Sequence, residues 1–492
     1  MSRRPISLGV PLIAAAALAG CTMEPHYTRP EAPVPPSWPA GDSYLAQSEA
    51  ALPSVSWRDI FRDPNLRAVI DSALANNRDL RVAAANVAAA RAQFRVQRAD
   101  LFPHVDAGAG ASTGDRGNVG NNGNGNGGSG RQDSFSADIG VSAFELDLFG
   151  RVRSLSHAAL QDYFATEAAQ RATRLALIGS VATAYLAYAA DRSLLTIAGE
   201  TRDNARRSVE LTDQRLRGGI ASRIDLRQAQ TILETAESDV ASLTTAVARD
   251  RNLLQLLVGA PVDDARLPAG LDAVDGQLGE LPAGLGSQIL LRRPDVVEAE
   301  YRLRSANARI GAARAAFFPT ISLTGLLGVA SNALSSLFTG GAFTWNAGAS
   351  AALPIFDAGA NRGNLRLSQA QRDAALAQYE QTIQTAFREV SDQLARRGTI
   401  DAQLGAQRRL VDAATDNARL TDARYRGGID TFLDSLDAQR TLYGAQRTLV
   451  STRLARATNL VNLYTTLGGD ALTDAQPYGQ QTPGPAAAQP SH

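Results

Sequence analysis

The sequence predicts an α+β membrane protein in which each chain contributes four β-strands and several very long α-helices. Three observations support this fold class. An internal repeat divides the chain into two similar halves, four short segments alternate apolar and polar residues, and two proline-free stretches run for about 64 residues each. Together these features favour strands that cross a membrane and helices that pack side by side outside it.

Composition excludes several classes of function. The 492 residues include 49 acidic and 49 basic side chains. The chain therefore has no net positive charge that would attract nucleic acid. Four histidines and one cysteine leave little material for a metal centre or a disulfide framework. No Ser-His-Asp or Cys-His set is visible. We therefore expect no enzyme activity, no cofactor, no metal and no nucleic-acid partner.

The N-terminus has the three-part layout of an export signal. Arg3 and Arg4 precede an apolar stretch that is too short to span a bilayer, and small residues follow it. The tetrapeptide 18–21 (LAGC) resembles the bacterial lipoprotein cleavage box, so we expect cleavage after residue 20 and a lipid on Cys21. The alternative is an ordinary signal with a chance cysteine. Six prolines within 25–39 predict an extended tether.

A long repeat predicts the organisation of the chain. Residues 211–220 return as 420–429, and residues 79–103 return as 295–319. The predicted divisions are a signal peptide (1–20), a lipidated N-terminal tether and equatorial segment (21–63), a first repeat (64–259), an equatorial linker (260–289), a second repeat (290–468) and a C-terminal equatorial segment with a disordered tail (469–492).

Each repeat copy contains two segments with a period of two residues. They predict β-hairpins over 104–147 and 320–354, because alternation over about ten residues is typical of transmembrane strands. The alternative is four half-buried strands of a soluble sheet. The Gly/Asn tract 114–130 predicts an exposed loop. Four strands are too few to close a barrel in lipid, so copies of the chain must associate to give eight, twelve or sixteen strands.

The proline-free stretches predict long helices that end in tight turns. The predicted helices run from about 154 to 217 and from about 362 to 426, and a return helix follows each. Gly218-Gly219 and Gly427-Gly428 supply the left-handed conformation that ends a helix within a hairpin. A hollow conduit, with a tube of helices below the barrel, is the physical interpretation.

Several short motifs, weak singly and strong together, resemble those of a known family. They are residues 290–296 (LLRRPDV) with 299–300 (AE), 317–319 (FFP), 146–151 (LDLFGR), 425–428 (YRGG) and 436–440 (LDAQR). The chain resembles, over nearly all of its mature length, the lipidated (NodT-type), TolC-like outer-membrane factors of Gram-negative tripartite efflux systems. The resemblance implies a homotrimer with one twelve-stranded outer-membrane barrel, a periplasmic tunnel of twelve helices and an equatorial belt.

The resemblance also implies partners and a docking site. The partners are a periplasmic adaptor (membrane fusion) protein, an inner-membrane pump of the resistance-nodulation-division type and outer-membrane lipid. The adaptor is expected at the hairpin tips. The tip residues are Arg217, Gly218, Gly219, Tyr425, Arg426, Gly427 and Gly428.

A gate is expected just beyond the second tip. Asp437 and Arg440 break the repeat, because the first copy has Gln228 and Thr231 at those positions, and they share one helix face with Leu433. In the family, matching positions form a constriction at the closed periplasmic end. The predicted gate residues are Leu433, Asp434, Asp437 and Arg440. Spacing leaves a second interpretation for Asp225 and Asp434, since Ser222 and Thr431 precede them at the distance of a capping box.

The predicted function is a passive exit duct. It conducts drugs and other small molecules from the inner-membrane pump and the adaptor across the periplasm and the outer membrane. The alternative is a conduit for type I protein secretion or metal efflux, which has the same architecture. A porin is less consistent with the sequence, because this chain is mostly helix.

Overall fold

A computed structural model describes residues 22–44, 56–115, 131–279 and 286–469. The helices are α1 Trp57–Ile60, α2 Pro64–Asn76, α3 Arg78–Ala99, α4 Arg151–Arg217, α5 Arg223–Val258, α6 Pro294–Ala315, α7 Ala360–Arg426 and α8 Phe432–Thr466. The strands are β1 Asp106–Asp115, β2 Arg131–Leu146, β3 Thr320–Ser331 and β4 Phe343–Ala352. The signal peptide, Cys21, residues 116–130 of the Gly/Asn tract and the chain beyond 469 lie outside the described residues.

The repeat appears as two pairs of helices of equal length. Helices α3 and α6 both contain 22 residues, and α4 and α7 both contain 67. At ~1.5 Å per residue, each long helix extends for about 100 Å. The described helices do not include one that combines the length and hydropathy needed to cross a membrane.

The four strands form one antiparallel sheet in chain order, β1-β2-β3-β4. A bulge between Val141 and Phe144 shifts the register of β2 against β3. β1 and β4 are the edges of this sheet. Every residue of β4 is exposed, so this strand has neither a second layer nor a second neighbour within the described chain.

One face of the sheet carries exposed apolar side chains. Ile139 lies opposite Leu327, and Leu327 lies opposite Trp345. These three side chains are 54–69% exposed. A soluble sheet buries such a row against a second layer, whereas a membrane strand turns it to lipid. The soluble-sheet alternative is therefore not supported.

The chain divides into two compact units that do not coincide with the repeat copies. Met1–Pro30, Val87–Thr166 and Ala299–Tyr379 form the first unit, which contains the sheet, and the rest of the chain forms the second. The main hydrophobic core lies in the second unit. It is built from α1, α2, the middle of α4 and the ends of α5 and α8. Each unit takes residues from both predicted repeats, 64–259 and 290–468.

The N-terminal segment 22–44 contains no helix or strand, as the prolines predict. It is not a free tether, however. In the first unit the Glu24 carboxylate lies 2.9 Å from the His157 ring nitrogen Nδ1. In the second unit Trp38 is 8% exposed and stacks on Phe387 with ring centroids 5.0 Å apart. The segment is therefore anchored at separate points by its side chains.

Candidate functional site

Both hairpin tips are turns closed by a left-handed glycine. Gly219 has φ +74° and Gly428 has φ +73°. At the first tip the Ile220 amide donates back to the Arg215 carbonyl at 2.8 Å, which satisfies a carbonyl at the helix end. The second tip repeats this bond. The turn geometry therefore follows from the second glycine of each repeated pair.

The first glycine of each pair does not have the predicted conformation. Gly218 and Gly427 keep negative φ, so only the second glycine of each pair is left-handed. A Cβ atom on Gly218 or Gly427 would approach its neighbours no closer than 3.5 Å, which is ordinary contact. The fold of this chain therefore does not require glycine at these two positions.

Tyr425 joins the two tips. Its ring packs against Phe432 with centroids 5.1 Å apart, and the Arg215 guanidinium lies 4.6 Å from the ring centroid. Arg217 and Arg426 each form an ion pair with an aspartate four residues earlier, and both side chains remain largely exposed. Tyr425 is thus part of the helix packing, whereas the two arginines project from the tips.

Capping boxes start both return helices. Ser222 and Asp225 exchange the two side-chain-to-backbone bonds of this motif at α5, and Thr431 and Asp434 do so at α8. The capping interpretation of Asp225 and Asp434 is confirmed. Asp434 therefore stabilises the start of α8, and its carboxylate also accepts from the Thr431 hydroxyl at 2.6 Å.

The other three predicted gate residues form an exposed face on α8. Leu433 is 57% exposed, and Asp437 and Arg440 are exposed beside it, while Phe432 and Leu436 are buried. Within the described chain, Asp437 and Arg440 do not pair with each other or with another charged group. Both charged side chains are therefore available to groups outside the described chain.

A polar cluster between α5 and α8 was not predicted. The Tyr443 hydroxyl donates to Asp239 Oδ2 at 2.6 Å, and Arg447 Nη1 lies 3.3 Å from the same oxygen. Residues 239 and 443 are 204 positions apart, so local patterns do not reveal the contact. Comparison of the repeats gives the missing signal, because the equivalents of Tyr443 and Arg447 in the first copy are Glu234 and Ser238.

A family profile described as "Outer membrane efflux protein" matches residues 69–260 and 285–469. The chain belongs to the outer membrane efflux protein family. The two matched ranges nearly coincide with the two predicted repeats. Membership confirms both the resemblance inferred from the motifs and the predicted outer-membrane location.

Full-length relatives of this family are similar to the chain. The toluene efflux pump outer membrane protein TtgC of Pseudomonas putida is 48% identical over 473 residues, covering 95% of this chain and 96% of that protein. The cation efflux system protein CusC of Escherichia coli is 39% identical over 464 residues, covering 94% and 98%. The open state of the Neisseria gonorrhoeae MtrE outer membrane channel has a TM-score of 0.81 at 36% identity, covering 92% and 99%.

The Arg-Arg-Pro-Asp motif of this outer membrane efflux protein has a structural role. Helix α6 begins at Pro294, which suits the first helical turn. Arg293 is buried and forms ion pairs with Asp295 at 2.7 Å and Glu389 at 3.0 Å. It also donates to the Thr466 carbonyl at 2.7 Å, at the end of α8. One arginine therefore fixes the start of α6, a position on α7 and the end of α8.

Glu300, in the same motif, holds the N-terminal segment. Its side chain is 6% exposed and accepts bonds from Arg29 at 2.6 Å and from Arg304 at 2.6 Å. The Tyr27 hydroxyl donates to it at 3.3 Å. Burial alone raises the pKa of Glu300, but the bonds from Arg29 and Arg304 outweigh it and hold this pKa below its ordinary value.

Proposed function

We propose that this protein is the outer-membrane exit duct of a tripartite efflux pump and conducts small molecules passively. The observation that carries the proposal is one sheet with an exposed apolar face, combined with helices of 67 residues that reach far beyond a bilayer. An inner-membrane pump supplies the energy and selects the cargo. The duct contributes a continuous path and a gate at its periplasmic end, and it conducts its cargo without chemical change.

The relatives support more than one cargo. One is named for toluene efflux and another for cation efflux. We propose small organic molecules as the main cargo, because the toluene efflux protein is the more similar of the two. Deleting this gene should lower resistance to solvents and hydrophobic drugs, and restoring the gene should recover it. Changed resistance to metal ions alone would favour the cation alternative.

We propose a homotrimer: the described chain leaves surfaces that need further copies, and the number three is what the family resemblance implies. The two sheet edges are unpaired, and lipid does not satisfy an open edge. Helix α3 has 22 residues and buries none of them. A helix with no buried side chain is stable only when it packs against a partner. Three copies give a closed barrel of twelve strands.

A single native mass spectrum in detergent tests the trimer and the lipid together. We expect three chains, each beginning at Cys21 and heavier than the 21–492 polypeptide by one diacylglyceryl and one acyl group. The matched variant is Cys21→Ser, which should lose the added mass and reach the outer membrane less efficiently. A monomer, a tetramer or an unmodified cysteine would contradict the corresponding part of the proposal.

We propose that an adaptor docks on the seven tip residues, and the glycine pairs allow docking to be separated from folding. Gly427→Leu should leave the melting temperature unchanged, because position 427 has negative φ and a Cβ atom there would make only ordinary contacts at 3.5 Å or more, yet it should abolish drug resistance. Gly428→Ala is the matched control, since alanine at φ +73° costs about 1 kcal/mol of stability and adds only a methyl group at the tip, so resistance should be retained. Full resistance in Gly427→Leu would exclude close docking there.

We propose that Leu433, Asp437 and Arg440 of three copies converge and close the periplasmic end, with Asp434 capping the helix that carries them. Each copy presents an unpaired carboxylate and an unpaired guanidinium, which suits ion pairs between copies. Asp437→Ala should raise single-channel conductance in planar bilayers without lowering trimer yield. Asp225→Ala, which removes the equivalent cap from the first copy, should lower stability and leave conductance unchanged. Equal conductance changes in both variants would contradict the gate.

A further inference from the structure

The cluster of Asp239, Tyr443 and Arg447 links two helices through a single carboxylate oxygen. Asp239 Oδ2, on α5, accepts the Tyr443 hydroxyl at 2.6 Å and lies 3.3 Å from Arg447 Nη1, both on α8. The Arg447 guanidinium lies 5.3 Å from the centroid of the Tyr443 ring. The Asp239 side chain is 24% exposed, so these charge-assisted bonds are partly shielded from water.

The cluster is not duplicated by the internal repeat. The equivalent of Asp239 in the second copy is Thr448, and the equivalents of Tyr443 and Arg447 in the first copy are Glu234 and Ser238. The capping boxes and glycine turns, by contrast, are the same in both copies. A feature needed only to build the helical hairpins would be shared in the same way. Because the repeat does not duplicate the cluster, the cluster points to a role of α8 that α5 does not have.

The role that distinguishes α8 is the proposed gate. Tyr443 follows Arg440 by three residues and Asp437 by six, which places it about 9 Å along the axis from Asp437. Nearer the tip, α8 contacts α5 through Phe432, Leu436 and Ala229. Apolar contacts tolerate sliding, whereas hydrogen bonds depend on distance and angle. Movement of the gate face relative to α5 therefore has to break the bonds to Asp239.

We infer that Asp239 and Tyr443 are positioning residues for the gate: their bond holds α8 against α5 in the closed arrangement. The inference rests on the proposed gate at Leu433, Asp437 and Arg440. A hydrogen bond to a charged group is strong enough for its loss to shift the closed-to-open ratio of one protomer about tenfold or more. Three copies in a trimer multiply this bias.

Single-channel recording of the full-length protein tests the inference. Tyr443→Phe removes only the hydroxyl and keeps the ring, so α8 packing is preserved. We expect Tyr443→Phe and Asp239→Ala to raise the occupancy of the open state at least about tenfold, with unchanged trimer yield. The double variant should equal Asp239→Ala, because both changes remove the same bond. The matched control is Glu237→Ala, since Glu237 pairs with Arg206 on α4 rather than with α8.

The outcomes separate this inference from the gate proposal. Unchanged open-state occupancy in Tyr443→Phe and Asp239→Ala, together with a raised conductance in Asp437→Ala, would overturn the inference and leave the gate in place. Unchanged behaviour in all three variants would overturn both. An equal rise in Glu237→Ala would show that any loss of charge on α5 opens the channel, which also contradicts a specific role for the bond to Tyr443.

Discussion

Glu300→Gln is expected to destabilise the protein by about 3 kcal/mol, because it removes the carboxylate that Arg29 and Arg304 share. The Glu300 side chain is 6% exposed, whereas those of Arg29 and Arg304 are 48% and 34% exposed. The two arginines regain water when the carboxylate is lost, so the cost lies at the low end for a buried pair. The melting temperature of the detergent-solubilised protein, followed by its helical circular dichroism, measures the effect.

The stabilisation by Glu300 should depend on pH. Its pKa is lowered in the folded protein by Arg29 and Arg304, so the stabilisation is complete above the unfolded value of about 4.3 and is lost as pH falls through the lowered value. Glu300→Gln should therefore lose part of the acid sensitivity of the parent protein. The matched control is Asp392→Asn, because the Arg388–Asp392 pair is 67% and 60% exposed. That change should cost about 0.5 kcal/mol or less, and an equal loss in both variants would contradict a special role for Glu300.

The elements that the sequence predicted correctly are those with a local or repeated signal. Periodicity of two residues marked all four strands, and the absence of proline marked both long helices to within three residues of their observed starts at Arg151 and Ala360. The glycine turns and capping boxes are also local, since each is defined within about six residues. Because the chain contains two copies of the repeat, each of these features appears twice in the sequence.

The contacts that the sequence did not predict join residues far apart in the chain. Arg29 and Glu300 are 271 positions apart, and Tyr443 and Asp239 are 204 apart. Pairing over such distances depends on how helices pack, and no periodicity encodes it. The proline-rich segment shows the same limit. Its extended backbone is a local property, whereas the burial of Trp38 against Phe387 is a tertiary one.

Gly259→Ala is expected to destabilise the protein by about 2–4 kcal/mol, since the position combines a left-handed backbone with a close backbone neighbour. Gly259 ends α5 with φ +72°. A Cβ atom there would lie 2.6 Å from the Asn76 carbonyl oxygen. That carbonyl cannot easily retreat, because the next residue, Asn77, is bound through its side-chain amide to the Leu257 carbonyl at 2.8 Å. The end of α5 therefore fits directly against the junction of α2 and α3.

Gly219→Ala separates the two contributions at Gly259. Gly219 has φ +74°, nearly the same backbone conformation, but nothing lies within 4 Å of its Cβ position. It should lose only the conformational part, about 1 kcal/mol, and the difference between the two variants should measure the contact with Asn76. Melting temperatures of the two variants in the same detergent decide the matter. If both fall equally, the close approach to Asn76 costs nothing, and the backbone conformation alone explains the glycine at 259.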